Sequence, residues 1–311
     1  EIYQKLVRIK EASRMSVELS PFIGSVQNID IISKVLKIFN VDTIYHAAAY
    51  KHVPLVEANV VEGFRNNLFG TLNIVKCAQK NGVKDFILIS TDKAVRPTNF
   101  MGASKRISEL LVQYFSNLSL SEKKINFSIV RFGNVIGSSG SVIPLFKKQI
   151  ERGGPLTVTH QNMTRYFMTV TEAAELVIQA SALTINYGIY LLNMGSPVLI
   201  NDLARKMIRL SGYKFSPNPQ NSNEIGIIYT GLRQGEKMYE ELLVDKNSQK
   251  TEHQMIFKSI ENKIDYDKFI LDIEKLRKYI DTNDYNNIKN ILINYVEDFD
   301  PPKTSNDLII N

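Results

Sequence analysis

The sequence predicts an α/β protein built on a doubly wound parallel sheet, with a smaller second lobe. Three observations predict it. Short unbroken runs of Ile, Leu and Val recur through the first half of the chain. Each is followed by a stretch with helical spacing, as expected of strands covered on both faces. The rhythm then breaks after Phe132 into Gly, Ser and Pro, where a second lobe begins. A length of 311 residues suits one large domain or two modest ones.

Taken in order, Asp42–Ala48 (DTIYHAA) reads as a buried strand and Val60–Gln79 as the helix after it. Asp85–Thr91 (DFILIST) is the next strand and Met101–Ser116 the next helix. Asn126–Phe132 (NFSIVRF) is the third strand. After GNVIGSSGS and Arg152-Gly153-Gly154-Pro155, a helix Val170–Ser181 and a strand Gly188–Met194 return to the sheet. From Pro197 onward, short elements and polar loops mark the second lobe, and residues beyond about Lys246 read as peripheral. The expected division is therefore 1–137 with 166–196 as the sheet domain, and 138–165 with 197–311 as the lobe and carboxy-terminal tail. A dinucleotide-binding sheet should open with a strand, a G-x-G-x-x-G turn and a helix. This chain opens in a helix-like segment, and Gly133, Gly137 and Gly140 have a different spacing after a late strand. Either this is not a dinucleotide protein, or the sheet lacks its first strand and glycine loop, with weak dinucleotide binding expected of these residues alone.

Composition narrows the function classes. Hydrophobic residues make up 44% and charged residues 23%, a globular profile. No apolar run approaches the roughly 18 residues of a membrane span, and the first ten residues have no export-signal core. The single cysteine, Cys77, excludes an internal disulfide framework and fits a reducing cytoplasm. His46, His52, His160 and His253 form no metal-binding pair, so no metal is expected. The net charge of +6 reads first as a Lys-rich solvated surface. It also suits a small anionic substrate such as a nucleotide diphosphate, while the unclustered basic residues argue against nucleic acid.

Chemistry concentrates at the strand ends. Thr91-Asp92-Lys93 follows the second strand, at the carboxyl edge where α/β enzymes place ligands; the bland alternative is a polar turn capped by Asp92. Lys105 lies one helical turn after Met101 on the same face, a spacing that alone reads as surface helix. His46-Ala47-Ala48-Ala49 ends the first strand with small side chains that would let a cofactor approach the backbone, or would simply allow tight packing. Asn66 and Asn67 sit inside a helix, where Asn has poor propensity, which hints at a bridging role.

HAAAYKHVPLVEAN, NNLFGT, STDKAVRPTNFMGASKR, RFGNVIGSSGSVIPLF, TRYFMT and GLRQGEK occur in order between about Phe22 and Leu243. Together they resemble the UDP-N-acetylglucosamine 4,6-dehydratases, members of the extended short-chain dehydrogenases with a Rossmann-like fold. Met101 stands where the small C5-inverting enzymes carry Tyr. With Ala49-Tyr50-Lys51-His52 and Ser-Lys-Arg, it resembles the large, C5-retaining, polysaccharide-biosynthesis type, and the chain resembles a carboxy-terminal fragment of it. Ser25 stands where this family usually has Asp beside the adenine. The resemblance implies a cytoplasmic domain of a parent anchored at the inner membrane, with no membrane contact from this chain itself, and a homo-oligomer. The implied reaction uses tightly bound NADP or NAD, which takes hydride from C4 and returns it to C6 after water is lost. The product is a UDP-4-keto-6-deoxy sugar for surface polysaccharide or glycoprotein glycans.

The same resemblance implies roles. Lys93 is the base at C5, which requires its pKa to fall by roughly 3 units from ~10.4 through burial and Lys105. Asp92 is the acid at C6, Thr91 holds the reacting hydroxyl, and Lys105 holds the nicotinamide ribose. His46, Ala47, Ala48, Ala49 and Asn66 join Lys105 at the cofactor. Lys51, Asn134, Arg165, Arg233 and Glu236 bind substrate, the two arginines on the diphosphate and Glu236 on the uridine ribose. Arg233 and Glu236 are expected one helical turn apart. Two other readings stay open: an epimerase or reductase of the same fold, which needs no C5 base and C6 acid, and a non-catalytic binding or assembly domain.

Overall fold

The computed structural model describes residues 2–120, 125–138, 140–233, 235–240, 244, 248–262, 264–301 and 307–308. Six strands form the main sheet: β1 (Thr43–His46), β2 (Asp85–Ile89), β3 (Asn126–Arg131), β4 (Tyr187–Leu192), β5 (Ser248–Lys250) and β6 (Ile256–Ser259). Their order is β1-β2-β3-β4-β6-β5. The first four run parallel, with Phe86 between Ile44 and Phe127, and Ile129 opposite Ile189. β6 pairs antiparallel with β4 and β5 with β6.

The helices are α1 (Ile2–Ala12), α2 (Ile29–Ile38), α3 (Val53–Glu57), α4 (Val60–Phe64), α5 (Gly70–Lys80), α6 (Phe100–Leu120), α7 (Val142–Glu151), α8 (Val170–Ala182), α9 (Ile200–Leu210), α10 (Tyr266–Asp281) and α11 (Tyr285–Tyr295). Alternation along the central strands decides which of them covers which face. Phe86, Leu88, Phe127, Ile129, Ile189 and Leu191 pack with Phe64, Val75, Ile107, Leu111, Phe269 and Leu292 of the α4, α5, α6, α10 and α11 layer. Ile87, Val130, Tyr190 and Leu192 pack on the other face against Leu176, Val177 and Ala180 of α8. A fully buried large apolar side chain contributes roughly 1.5–3 kcal/mol. These two layers therefore dominate the stability of the sheet domain.

A third cluster is separate. Phe146 and Ile150 of α7, Leu156 and Val158, and Ile200, Ala204 and Ile208 of α9 enclose Ile225. Here Leu156–Val158 pairs in parallel with Ile227–Tyr229. This lobe sits over the carboxyl ends of the parallel strands and forms the second wall of the site described below.

Two elements differ from the sequence reading. The helix expected over Val60–Gln79 carries a π-helical turn at Arg65–Phe69 that buries Asn66 and Asn67. Residues 248–295, grouped above with the lobe and its tail, instead supply β5, β6 and two helices that cover the main sheet. The physical reason is a stripe at Phe269, Ile273, Leu276 and Ile280. Its helical spacing is that of a buried face, and Glu274, Lys275, Arg277 and Lys278 between its members lie outward.

Candidate active site

β2 delivers Ser90, Thr91 and Asp92 to the carboxyl edge of the sheet. Thr91 caps the short turn Asp92–Ala94, accepting from the Lys93 backbone N–H at 3.3 Å. The turn is pressed onto the start of α6. At Gly102 a Cβ would overlap the Lys93 carbonyl oxygen and lie 2.8 Å from Pro97, so only glycine permits the approach. The α6 N-terminus is held from two sides. Asn99 Oδ1 accepts from the Gly102 N–H at 2.8 Å, and Glu57 Oε1 accepts from the Phe100 N–H at 2.6 Å. Burial pushes the Glu57 carboxyl up to about 7, against the opposing pull of the Phe100 and Met101 N–H groups.

Asp92 is almost wholly buried. Its Oδ1 accepts from the Thr91 hydroxyl at 2.9 Å and the Lys93 ammonium at 3.0 Å. Its Oδ2 is buried without a partner among the described residues. A Cβ on Gly133 would lie 2.9 Å from that oxygen, so glycine keeps the space in front of it open. An orphaned buried carboxylate oxygen is costly and points to a group that arrives later.

Lys93 departs from the expectation. Burial lowers its pKa, but the Asp92 and Glu240 carboxylates outweigh burial and hold it above the usual lysine range. Lys105, expected to depress it, instead donates from Nζ to the Ile89 carbonyl at 2.8 Å. It is Lys105 that burial lowers, to about 8, against the attraction of Glu109.

Two cavities meet at these residues. One, of about 260 Å³, is lined by Ala47, Ala49, Lys51, Thr91, Met101 and Lys105. The other, of about 270 Å³, runs under the lobe past Asn99, Arg165, Arg233, Glu236 and Glu240. Lys93 and Asn134 line both. Asn134 is fixed by its N–H and Nδ2, both donating to the Tyr166 carbonyl at 3.2 Å. In the first cavity burial also lowers the Lys51 pKa.

Some expected contacts lie elsewhere. His46 is buried, with Nε2 2.9 Å from the Thr71 hydroxyl, and burial and Lys105 lower its pKa to about 3. It therefore braces the end of β1 as a neutral ring and lines neither cavity. Ala48 and Asn66 line neither cavity as well. Asn66 donates to Asn67 Oδ1 at 3.1 Å. The bridging role belongs to Asn67, which accepts from the Tyr50 N–H at 2.7 Å and donates to the Tyr50 carbonyl and Ser104 hydroxyl at 3.0 Å. The π-helical turn aims this side chain, a use of π geometry seen at functional sites.

Around Arg165 the lobe is wired to itself. Its Nη1 donates to the Thr164 and Met238 carbonyls at 2.7 and 3.2 Å, and its Nη2 to the Lys237 carbonyl at 2.9 Å. Its Nε lies 3.1 Å from Glu240 Oε1 and its Nη2 3.5 Å from Glu236 Oε1. Arg233 and Glu236 are joined by a tight turn rather than a helix: the Glu236 N–H donates to the Arg233 carbonyl at 3.1 Å. Gly235 lies within this turn at φ +71°, where a Cβ would lie 2.7 Å from Asn99. Gln234 of this motif and Ser139 of the GNVIGSSGS stretch lie outside the described residues.

Behind the strand ends runs a buried ionic network that the sequence reading missed. Glu109 accepts from Ser90 Oγ at 2.6 Å and from Arg131 Nε and Nη2 at 2.8 and 2.6 Å. Arg131 and Arg106 also reach Glu261 at 2.9 and 2.8 Å. Burial raises the Glu109 pKa, but the two arginines and Ser90 outweigh it and bring it to about 2. Its signal in the sequence was Glu109 one turn beyond Lys105, a charge on a face that otherwise reads as core.

The family model described as "Polysaccharide biosynthesis protein" matches residues 1–261. The capsular polysaccharide biosynthesis protein CapD of Staphylococcus aureus is 50% identical over 251 residues, which are 80% of this chain and 40% of CapD. The chain thus spans about two fifths of that relative's length. A UDP-glucose 4-epimerase of Rickettsia bellii is 35% identical, and an inverting UDP-N-acetylglucosamine 4,6-dehydratase of Campylobacter jejuni 34%. Each alignment covers 74% of this chain and 64% of the relative. Among solved structures, Pen from Bacillus thuringiensis superposes with a TM-score of 0.70 at 31% identity, covering 90% of this chain and 87% of Pen. DesIV, a dTDP-glucose 4,6-dehydratase from Streptomyces venezuelae solved with NAD and TYD, superposes at 0.62 with 20% identity, covering 76% and 74%, and shares the fold. The strand order, the strand-end site and the family match agree: this chain is a Rossmann-fold, short-chain-dehydrogenase member of the polysaccharide biosynthesis protein family.

Proposed function

We propose that this chain carries the reaction centre of a nucleotide-sugar 4,6-dehydratase that converts UDP-N-acetylglucosamine to a UDP-4-keto-6-deoxy sugar with retention at C5. The observation that carries the reading is the Thr91-Asp92-Lys93 turn at the junction of two cavities, with Asp92 Oδ2 buried and unpartnered. Elimination of water needs one group to take the C5 proton and another to assist the C6 hydroxyl. Lys93 and Asp92 stand 3.0 Å apart at that junction.

The first cavity fits the nicotinamide end of a dinucleotide. Ala47 and Ala49 leave its rim low, and Lys105 brings an ammonium of which the Ile89 contact uses one of three donors. A bound nicotinamide supplies the hydride acceptor and donor. Lys105 holds the ribose, and its positive field disfavours a second cation nearby. Thr91 orients the reacting hydroxyl. Transfer of the Lys93 ammonium proton to Asp92, 3.0 Å away, leaves a neutral amine to take the C5 proton and a carboxylic acid to hand a proton to the leaving oxygen. Met101 fills the slot of the usual tyrosine, so Thr91 or a lysine of the same cavity, such as Lys51, must take the C4 proton. Asn134, Arg165, Arg233 and Glu236 line the cavity for the sugar and its diphosphate.

The test is NMR of the product formed from UDP-N-acetylglucosamine by the full-length protein with NADP or NAD. A 4-keto-6-deoxy sugar with unchanged C5 configuration is expected. A 4-epimer with its C6 hydroxyl intact would favour the epimerase reading, to which the Rickettsia relatives give weight.

A further inference from the structure

The Glu240 side chain is buried in the second cavity beside Lys93, only 3% exposed, and none of the sequence motifs gives it a role. Its Oε1 alone meets two cations from different parts of the fold. Arg165 Nε is 3.1 Å away and Lys93 Nζ 3.3 Å. Arg165 comes from the strand Thr164–Arg165 of the lobe, and Lys93 from the turn after β2. A buried carboxylate must be paired, and here both partners are cations that line the substrate cavity.

We propose that Glu240 is a resident counter-ion, a positioning residue that holds Lys93 and Arg165 until the diphosphate of the nucleotide sugar competes for them. This rests on the dehydratase reading of the cavity and deepens it. In the empty site one oxygen bridges both cations, while Asp92 also faces Lys93 and Glu236 also faces Arg165, so Lys93 is aimed toward Asp92 and Arg165 stays folded over the 236–240 segment. An arriving diphosphate meets a Lys93 and an Arg165 already paired with carboxylate, so engaging the Arg165 guanidinium costs the displacement of Glu240 from it. The same displacement removes one of the two carboxylates that keep Lys93 protonated. Occupancy of the nucleotide cavity and readiness of the C5 base are thereby linked through one side chain.

The test is calorimetry with UDP on the chain itself, which needs neither cofactor nor turnover. Glu240→Gln keeps the shape and removes the charge. It is expected to bind UDP about tenfold more tightly than the parent, a gain of the size one nearby charge produces in a partly screened site. The gain should shrink as salt is raised. Glu240→Asp keeps the charge and should return UDP affinity to within about twofold of the parent. Thermal melts of both variants confirm that the comparison is between folded proteins. A side chain that merely held the loop would weaken UDP binding when changed to Gln, with no salt dependence, and that result overturns the proposal. So does unchanged affinity in Glu240→Gln while the parent binds UDP, which leaves the dehydratase reading standing. If neither protein binds UDP, both the proposal and the nucleotide assignment of the cavity fall.

Discussion

The strand-end wall, residues 90–105, and the loop wall, residues 231–233 and 235–240, meet at Lys93 but are held by different means. The strand-end wall is anchored in the core. Ser90 is tied to the Glu109–Arg131 network, Lys105 to the Ile89 carbonyl, and Gly102 is pressed on the turn itself. The loop wall has no strand or helix of its own at this point. It is held by Arg165 reaching into its carbonyls and by the Lys237 ammonium donating to the Val95 carbonyl at 3.3 Å. The difference suits the two tasks. Proton transfer needs groups fixed to within fractions of an ångström, whereas a diphosphate must be admitted and released.

The comparison breaks first at Lys93. Lys93→Ala is expected to lower dehydration by roughly 10²–10⁴-fold, the usual cost of losing an acid–base group, measured as single-turnover product formation. Turnover within tenfold of the parent would remove Lys93 from the role of base. UDP binding should change as well, because Lys93 lies 3.3 Å from Glu240 and the variant leaves Asp92 and Glu240 facing the cavity without their ammonium.

The anchoring of the strand-end wall is tested at Glu109. Glu109→Gln leaves Arg131 and Arg106 with Glu261 as their remaining carboxylate, and breaking a buried pair of this kind costs about 3–5 kcal/mol. Urea denaturation of parent and variant measures it. The acid dependence has a definite sign. The folded pKa of about 2 lies below that of an unfolded glutamate. The contribution of Glu109 is therefore fully present above roughly pH 4.5 and is lost as pH falls toward about 2. The variant's stability should change less than the parent's over that window; parallel curves would show that the network carries no such linkage.

A smaller effect is expected at the contact between α6 and the turn. Gly102→Ala places a methyl on the Lys93 carbonyl oxygen, which belongs to backbone and cannot swing aside. The expected loss is about 1–3 kcal/mol by overpacking, read by the same urea titration. Turnover should fall as well, because the turn that carries Asp92 and Lys93 must shift. A variant as stable and active as the parent would mean that the two elements do not press on one another.

The sequence made the strand-end wall readable because its geometry is local. A buried parallel strand ends in a ligand edge by topology, and Thr91, Asp92, Lys93, Met101 and Lys105 lie within fifteen residues of one another. The loop wall was half readable. Arg165, Arg233 and Glu236 were found through motifs, and all three line the cavity. Glu240 was not found, because its partners lie 75 and 147 residues away in sequence and its burial follows only from their meeting. The pKa direction of Lys93 failed because two carboxylates, Asp92 beside it in sequence and Glu240 from across the fold, outweigh burial. His46 and Asn66 are turned into the protein: His46 stands beside the cavity residue Ala47 in sequence but strand alternation points it inward, and the π-helical turn buries Asn66.

The finest test of the contrast lies at Arg233, the part of the loop wall least tied down. It lines the second cavity and is exposed, while Arg165, which lines it too, is spent on three carbonyls and two carboxylates. An anion entering the cavity therefore meets Arg233 without first displacing a buried carboxylate from it. A charge-assisted contact at a desolvated site is worth up to a hundredfold in affinity, and at an exposed guanidinium the screened figure is nearer tenfold. Arg233→Ala is expected to raise KM about tenfold and leave kcat within about twofold, because the diphosphate is held equally in ground and transition states. The loss should also diminish with salt, as a solvent-facing contact requires. A collapse of kcat at unchanged KM would place Arg233 at the reacting sugar. The division between a wall that performs chemistry and a wall that admits the nucleotide would then have to be abandoned.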